Sequence, residues 1–125
     1  MKIFTEANSP WENKVNFVDS ANTVVGYDMA KVCCENAGYY ISEDTRSDID
    51  SAKTITEGLE PYTFDRGYFA QIVAGHLQDG GMVRFRLTAD GKPDLYLHIF
   101  NSHNGYYNHG FTMSANGEQV RSASL

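Results

Sequence analysis

Hydrophobic and polar positions in this chain alternate with a period of two more often than with a helical period. Met82-Val83-Arg84-Phe85-Arg86-Leu87-Thr88 alternates strictly and places Val83, Phe85 and Leu87 on one side. Leu95-Tyr96-Leu97-His98-Ile99-Phe100 follows, and Tyr106 to Met113 completes a third run. Asp90-Gly91 and Asn104-Gly105 separate these runs, and such dipeptides between alternating segments signal hairpins. The pattern therefore predicts a C-terminal three-stranded antiparallel meander. Upstream, Val15-Asn16-Phe17-Val18-Asp19 and Thr23-Val24-Val25-Gly26-Tyr27 flank Ser20-Ala21-Asn22 and predict an N-terminal hairpin.

Between hairpin and meander the pattern changes. Met29, Val32, Cys33 and Ala37 fall at i, i+3, i+4 and i+8 after a capping Asp28, and Gly38 is placed to end a helix. A short helix at about 28–37 is the expectation. Tyr39-Tyr40-Ile41-Ser42 resumes an extended run, and 43–60 reads as a long, acidic and mobile loop. Tyr62-Thr63-Phe64-Asp65 and Tyr68 to Val73 read as strands around an Asp65-Arg66-Gly67 turn. The expected fold is α+β, a mainly antiparallel sheet with one short helix, in a single domain spanning 1–125.

Register decides which residues share a face. A bulged turn at Asp90-Gly91 pairs Phe85 with Leu97 and Arg84 with His98, so Val83, Phe85, Leu87, Leu95, Leu97 and Ile99 stay together. A two-residue turn would mix Arg84 and Arg86 with the leucines, and burying unpaired guanidiniums costs several kcal/mol. The same choice at Asn104-Gly105 adds Phe111 and Met113 to the apolar face. The other face then carries Arg84, Arg86, Tyr96, His98, Phe100, Tyr106 and Asn108.

Composition narrows the function classes. A chain of 125 residues, 42% hydrophobic and 21% charged, suits one domain with a real core and excludes a disordered tail or a coiled coil. The net charge of -6 argues against bulk nucleic-acid binding and against an anionic membrane surface. Neither a membrane span nor the apolar core of a signal peptide is present, so the expectation is a cytoplasmic protein. Residues 1–62 hold eleven acidic against five basic residues, whereas 63–125 hold five of each together with all four histidines. The acidic half reads as a solvated surface.

Candidate chemistry is sparse. Cys33-Cys34 could form a disulfide only through a strained ring, no CxxC or HxxxH supplies metal spacing, and a thiolate would need a histidine base from elsewhere in the fold. His98 and His103 lie five apart and point to opposite faces of a strand, which disfavours a shared metal. The carboxylates Glu43, Asp44, Asp48, Asp50, Glu57 and Glu60 sit in a polar stretch that would not desolvate them. Nucleophile-elbow, phosphate-loop and dinucleotide fingerprints are missing. What remains is the aromatic and basic sheet face, which suits a nucleotide-like ligand, single-stranded nucleic acid or a protein partner.

The blocks Cys33-Cys34-Glu35-Asn36-Ala37-Gly38 and His103-Asn104-Gly105-Tyr106-Tyr107-Asn108-His109-Gly110 form CCExxG and HNGYYxHG patterns. With the runs at 15–19, 25–28, 85–87 and 95–98 they resemble a family of small uncharacterised proteins of bacteria, their phages and prophages. The resemblance implies a phage or mobile-element origin, a setting in which small proteins often bind host components, and it carries no catalytic residue or cofactor.

The leading expectation is a non-enzymatic binding protein without cofactor, engaging a protein or nucleotide-like small molecule through Arg84, Arg86, Tyr96 and His98, with His103 and Tyr106 at a hairpin tip beside the helix. The alternative is a small metal- or thiol-dependent enzyme using Cys33 or Cys34 with a histidine. A homodimer that pairs its own sheet edges is a further reading.

Overall fold

In the computed structural model, the described residues are 1–9, 12–29, 36–45, 54–72, 81–102 and 109–125. Their regular elements are all strands: β1 (Lys2–Ser9), β2 (Glu12–Val18), β3 (Thr23–Asp28), β4 (Asn36–Ser42), β5 (Thr63–Phe64), β6 (Ala70–Ile72), β7 (Gly81–Thr88), β8 (Leu95–Ser102), β9 (Gly110–Ala115) and β10 (Glu118–Ser124). One sheet has the order β1-β2-β3-β9-β10 and the other β4-β8-β7-β5, with β6 also on β7. All pairings are antiparallel.

The two sheets pack face to face on one apolar core. The first contributes Val15, Phe17, Val25, Tyr27, Phe111 and Met113, and the second Ile41, Val83, Phe85, Leu87, Leu97 and Ile99, all of them buried. Edge-on aromatic contacts join the layers: Phe85 meets Phe111 at 6.0 Å and Phe17 meets Tyr39 at 4.9 Å. The Tyr27 hydroxyl donates to the Phe100 carbonyl at 2.7 Å, so even its polar end is satisfied inside the sandwich. At one end of the molecule the Met1 amine donates to the carbonyls of Leu59, Glu60 and Tyr62 at 2.6, 3.0 and 3.0 Å, and burial lowers its pKa.

The α+β expectation is overturned: the described residues contain no helix and form two antiparallel sheets, an all-β arrangement among those residues. Both ends of the expected helix at 28–37 belong to ladders. Asp28 closes β3, and the Met29 N–H donates to the Asn13 carbonyl at 2.7 Å, extending the β2–β3 pairing. Asn36 and Ala37 pair with Ser102 and Asn101. Met29 and Ala37 do pack on the core, but from strand ends. Backbone pairing to distant strands outweighs a helical period only nine residues long. Cys33 and Cys34 lie outside the described residues.

The three-stranded meander is also corrected. β7 and β8 pair in the expected register, Phe85 with Leu97 and Arg84 with His98. Gly91, at a φ of +70°, supplies the left-handed residue in the turn after β7. β9, however, joins the other sheet, with Phe111 opposite Tyr27 and Met113 opposite Val25. The free side of β8 is taken by β4, so β9 crosses over and delivers Phe111 and Met113 to the core from the facing layer. The Asn104-Gly105 tip lies outside the described residues.

The N-terminal hairpin forms as expected, with Val15 opposite Tyr27 and Phe17 opposite Val25. Its turn is held by Asp19, whose Oδ1 accepts the N–H groups of Ala21 and Thr23 at 2.9 and 2.8 Å. The same carboxylate reaches the second sheet: its Oδ2 accepts the Phe64 N–H at 2.8 Å. The described part of 43–60 is anchored, with Leu59 buried and the Ile55 N–H donating to the Ile41 carbonyl at 2.7 Å.

Candidate functional site

Alternation along β7 and β8 sends Val83, Phe85, Leu87, Leu97 and Ile99 into the core and leaves Arg84, Arg86, Tyr96 and His98 on the outer face of the second sheet. The register sets Arg84 against His98 and Arg86 against Tyr96. Four of the six expected site residues therefore share a face. His103 and Tyr106 lie outside the described residues.

The face divides into a buried and an open half. In the buried half, His98 is fully enclosed, and the Tyr40 ring lies parallel to it at 4.2 Å and 11°. Tyr40, Met82 and Phe100 form a small second core with Ile72 at its margin. The Arg84 Nε–H donates to His98 Nε2 at 2.9 Å. An imidazole nitrogen that accepts from a guanidinium carries no proton, so His98 is the neutral tautomer protonated on Nδ1. Desolvation, and then the positive charge of Arg84, lower its pKa from 6.5 to about 4. The second arm of Arg84 donates from Nη2 to the Thr45 carbonyl. Arg84 thus pins the segment that follows β4 to the sheet, which is a structural task.

In the open half, Arg86 donates from Nε to Asp65 Oδ2 at 3.0 Å and from Nη2 to the same oxygen. The pair is partly exposed, 35% for Arg86 and 28% for Asp65. Hydrogen bonding to Arg86 lowers the Asp65 pKa. The guanidinium lies 4.8 Å from the Tyr68 ring centre, and Tyr68 in turn stands 5.9 Å from Tyr96. Asp65 is aimed by its own turn, since its Oδ1 accepts the Gly67 N–H at 3.0 Å and its carbonyl accepts the Tyr68 N–H at 3.0 Å.

Asp65 and Tyr68 were not expected at this site. The sequence marked 65–67 as a turn, but only the pairing of β5 and β6 with the same strand, β7, brings that turn over Arg86. Among the described residues, no three or more histidine, cysteine or acidic side chains are grouped to hold a metal ion, and no helix is long and apolar enough to cross a membrane. No family model, no curated protein and no solved structure matches the chain.

Proposed function

We propose that the chain is a non-enzymatic binding protein whose partner, another protein, docks on the open half of the outer face formed by Arg86, Tyr68 and Tyr96. The observation that carries this reading is the stacked arrangement of Arg86 over Tyr68 beside Tyr96, three half-buried side chains, two of them opposite each other on β7 and β8 and the third on the loop between β5 and β6. Tyrosine and arginine are enriched among interface hot spots, tyrosine for its large area with few rotors and arginine for its planar fork of donors, and here the bonds to Asp65 already hold the Arg86 rotamer. A phosphate ligand is less well served. Arg86 is compensated by Asp65, and Arg84 is committed to His98 and the Thr45 carbonyl. An anion would have to break those bonds, whereas a polar and aromatic protein surface can lie on the compensated pair.

Affinity capture with the wild-type chain and with an Arg86→Ala/Tyr96→Ala variant as parallel baits tests the reading. The expected result is a protein retained by the wild type and lost from a variant that melts at nearly the same temperature. Equal recovery by a folded variant would refute the assignment of this face. Arg84 is left intact in this design because its substitution would disturb the His98 stack.

A further inference from the structure

We propose that two copies of this chain associate by antiparallel pairing of their β1 edges about a two-fold axis at Phe4. The hydrogen-bond phase of β2 sets that of β1. Asn13 and Met29 form a hydrogen-bonded pair, as do Asp19 and Thr23, so the odd residues of β2 direct their backbone groups toward β3. The even residues Lys14, Asn16 and Val18 then face β1 and bond to Glu6, Phe4 and Lys2. It follows that Ile3 and Thr5 direct their N–H and C=O groups away from the sheet, along an edge that no described strand covers.

The side chains of this edge are self-complementary. An antiparallel partner centred on Phe4 pairs Ile3 with the second copy's Thr5 through backbone hydrogen bonds and sets Phe4 against the second copy's Phe4 in a non-hydrogen-bonded position. Side chains in such positions come closest, with α-carbons about 4.5 Å apart. The same register sets Lys2 against the second copy's Glu6, twice by symmetry. Lys2, Phe4 and Glu6 are all exposed, and Phe4, at 51%, is one of only two large hydrophobic residues so exposed among the described residues.

The opposite edge, β10, carries the other exposed hydrophobic residue, Val120 at 52%, but at the bulge and without matched charges about it. A two-fold centred on Arg121 of β10 would place like charges together, and a register shift between Gln119 and Arg121 kinks that strand. On β1 the irregularity is confined to Ala7–Ser9, so 2–6 is regular. One edge is blunted and the other is left flat with matched charges, the arrangement expected where a single edge is meant to be paired.

Sedimentation velocity over a concentration series, on the wild type, Lys2→Glu, Glu6→Lys and a one-to-one mixture of the two variants, tests the proposal. The wild type should dimerise reversibly. Each single variant sets like charges across both symmetric pairs and should weaken the dimer at least about tenfold. The mixture should regain association, because the all-acidic edge of one variant then faces the all-basic edge of the other at both symmetric pairs. Phe4→Arg should abolish dimerisation in a chain whose circular dichroism is unchanged. A monomeric wild type, single variants that dimerise as tightly as the wild type, or a mixture no tighter than its components would each overturn the β1 pairing.

Discussion

Arg84 and His98 stand directly opposite each other in the β7–β8 ladder and share a hydrogen bond in which the guanidinium donates to the imidazole Nε2. That geometry requires a neutral histidine. Protonating His98 would set a donor against a donor and a cation against a cation in a site closed by the Tyr40 ring.

Stability should consequently depend on pH in a defined window. The unfolded chain takes up a proton on His98 as pH falls through 6.5, while the folded chain resists until about 4. The unfolded state therefore binds more protons in between, and stability is full above 6.5 and lost as pH falls toward 4. A shift of this size corresponds to about 3 kcal/mol in all. Urea unfolding between about pH 7 and about pH 4.5 should show most of this loss, and His98→Gln should flatten the slope there. A wild type and variant with equal slopes would mean that His98 is not the titrating group. Asp65, whose pKa is lowered by Arg86, adds its own loss only further into the acid range, as pH falls from the ordinary carboxylate value toward its depressed one.

Asp19 makes a second, independent prediction. Its two oxygens accept three backbone N–H groups, from Ala21, Thr23 and Phe64, and the last belongs to the other sheet. Asp19 is itself 5% exposed, so water cannot replace what is removed. Asp19→Ala should cost about 3 kcal/mol in denaturant unfolding, because buried amides would be left without acceptors. Asp19→Asn should be nearly as costly, since its amide nitrogen would face a donor at one of these contacts. A loss below about 1 kcal/mol for Asp19→Ala would show that the turn and the β5 contact hold themselves.

The turn at Asn116-Gly117 yields a third. Both residues have positive φ, 54° and 84°, and they join Ala115 to Glu118 as a two-residue hairpin of the mirror-image type. Gly117→Ala should lower stability by about 1 kcal/mol, read by thermal or urea unfolding, whereas Asn116→Gly should be close to neutral. Equal effects of the two would mean that the turn relaxes to another type.

These elements also show how far the sequence could be read. The alternation of 82–88 and 95–100 set both the β7–β8 register and the shared face of Arg84, Arg86, Tyr96 and His98, because burying arginine among leucines is costly enough to choose between turns. Strand partners beyond the next strand had no such local signal. Nothing in Phe111 or Met113 tells whether they cover Phe85 from the same sheet or from the facing one, and both arrangements bury them equally. β10 was missed although Asn116-Gly117 marks its hairpin, since Glu118–Ser124 is exposed along nearly its whole length and lacks an apolar pattern. β1 carries no clear strand signal of its own, because Ile3 and Phe4 stand side by side in Lys2–Glu6 and break the alternation. The Asp65–Arg86 pair depends on two short strands meeting β7, a tertiary fact that no spacing encodes.

Gly38 illustrates the same point and supplies the last prediction. The sequence suggested a helix-ending glycine, but in the fold Gly38 is a strand residue opposite Phe100. A β-carbon built there would meet the Phe100 ring at 3.0 Å, so the glycine exists to let that ring lie across β4. Glycine inside a strand carries an entropic penalty of about 0.5–1 kcal/mol, which alanine would relieve if the space were open. Gly38→Ala should therefore destabilise the wild type by about 1 kcal/mol, the crowding outweighing the entropy gain. In a Phe100→Leu background the same substitution should be neutral or stabilising, giving a coupling energy of at least about 1 kcal/mol in a double-mutant cycle. If Gly38→Ala has the same effect in both backgrounds, the ring is not what excludes a side chain at 38.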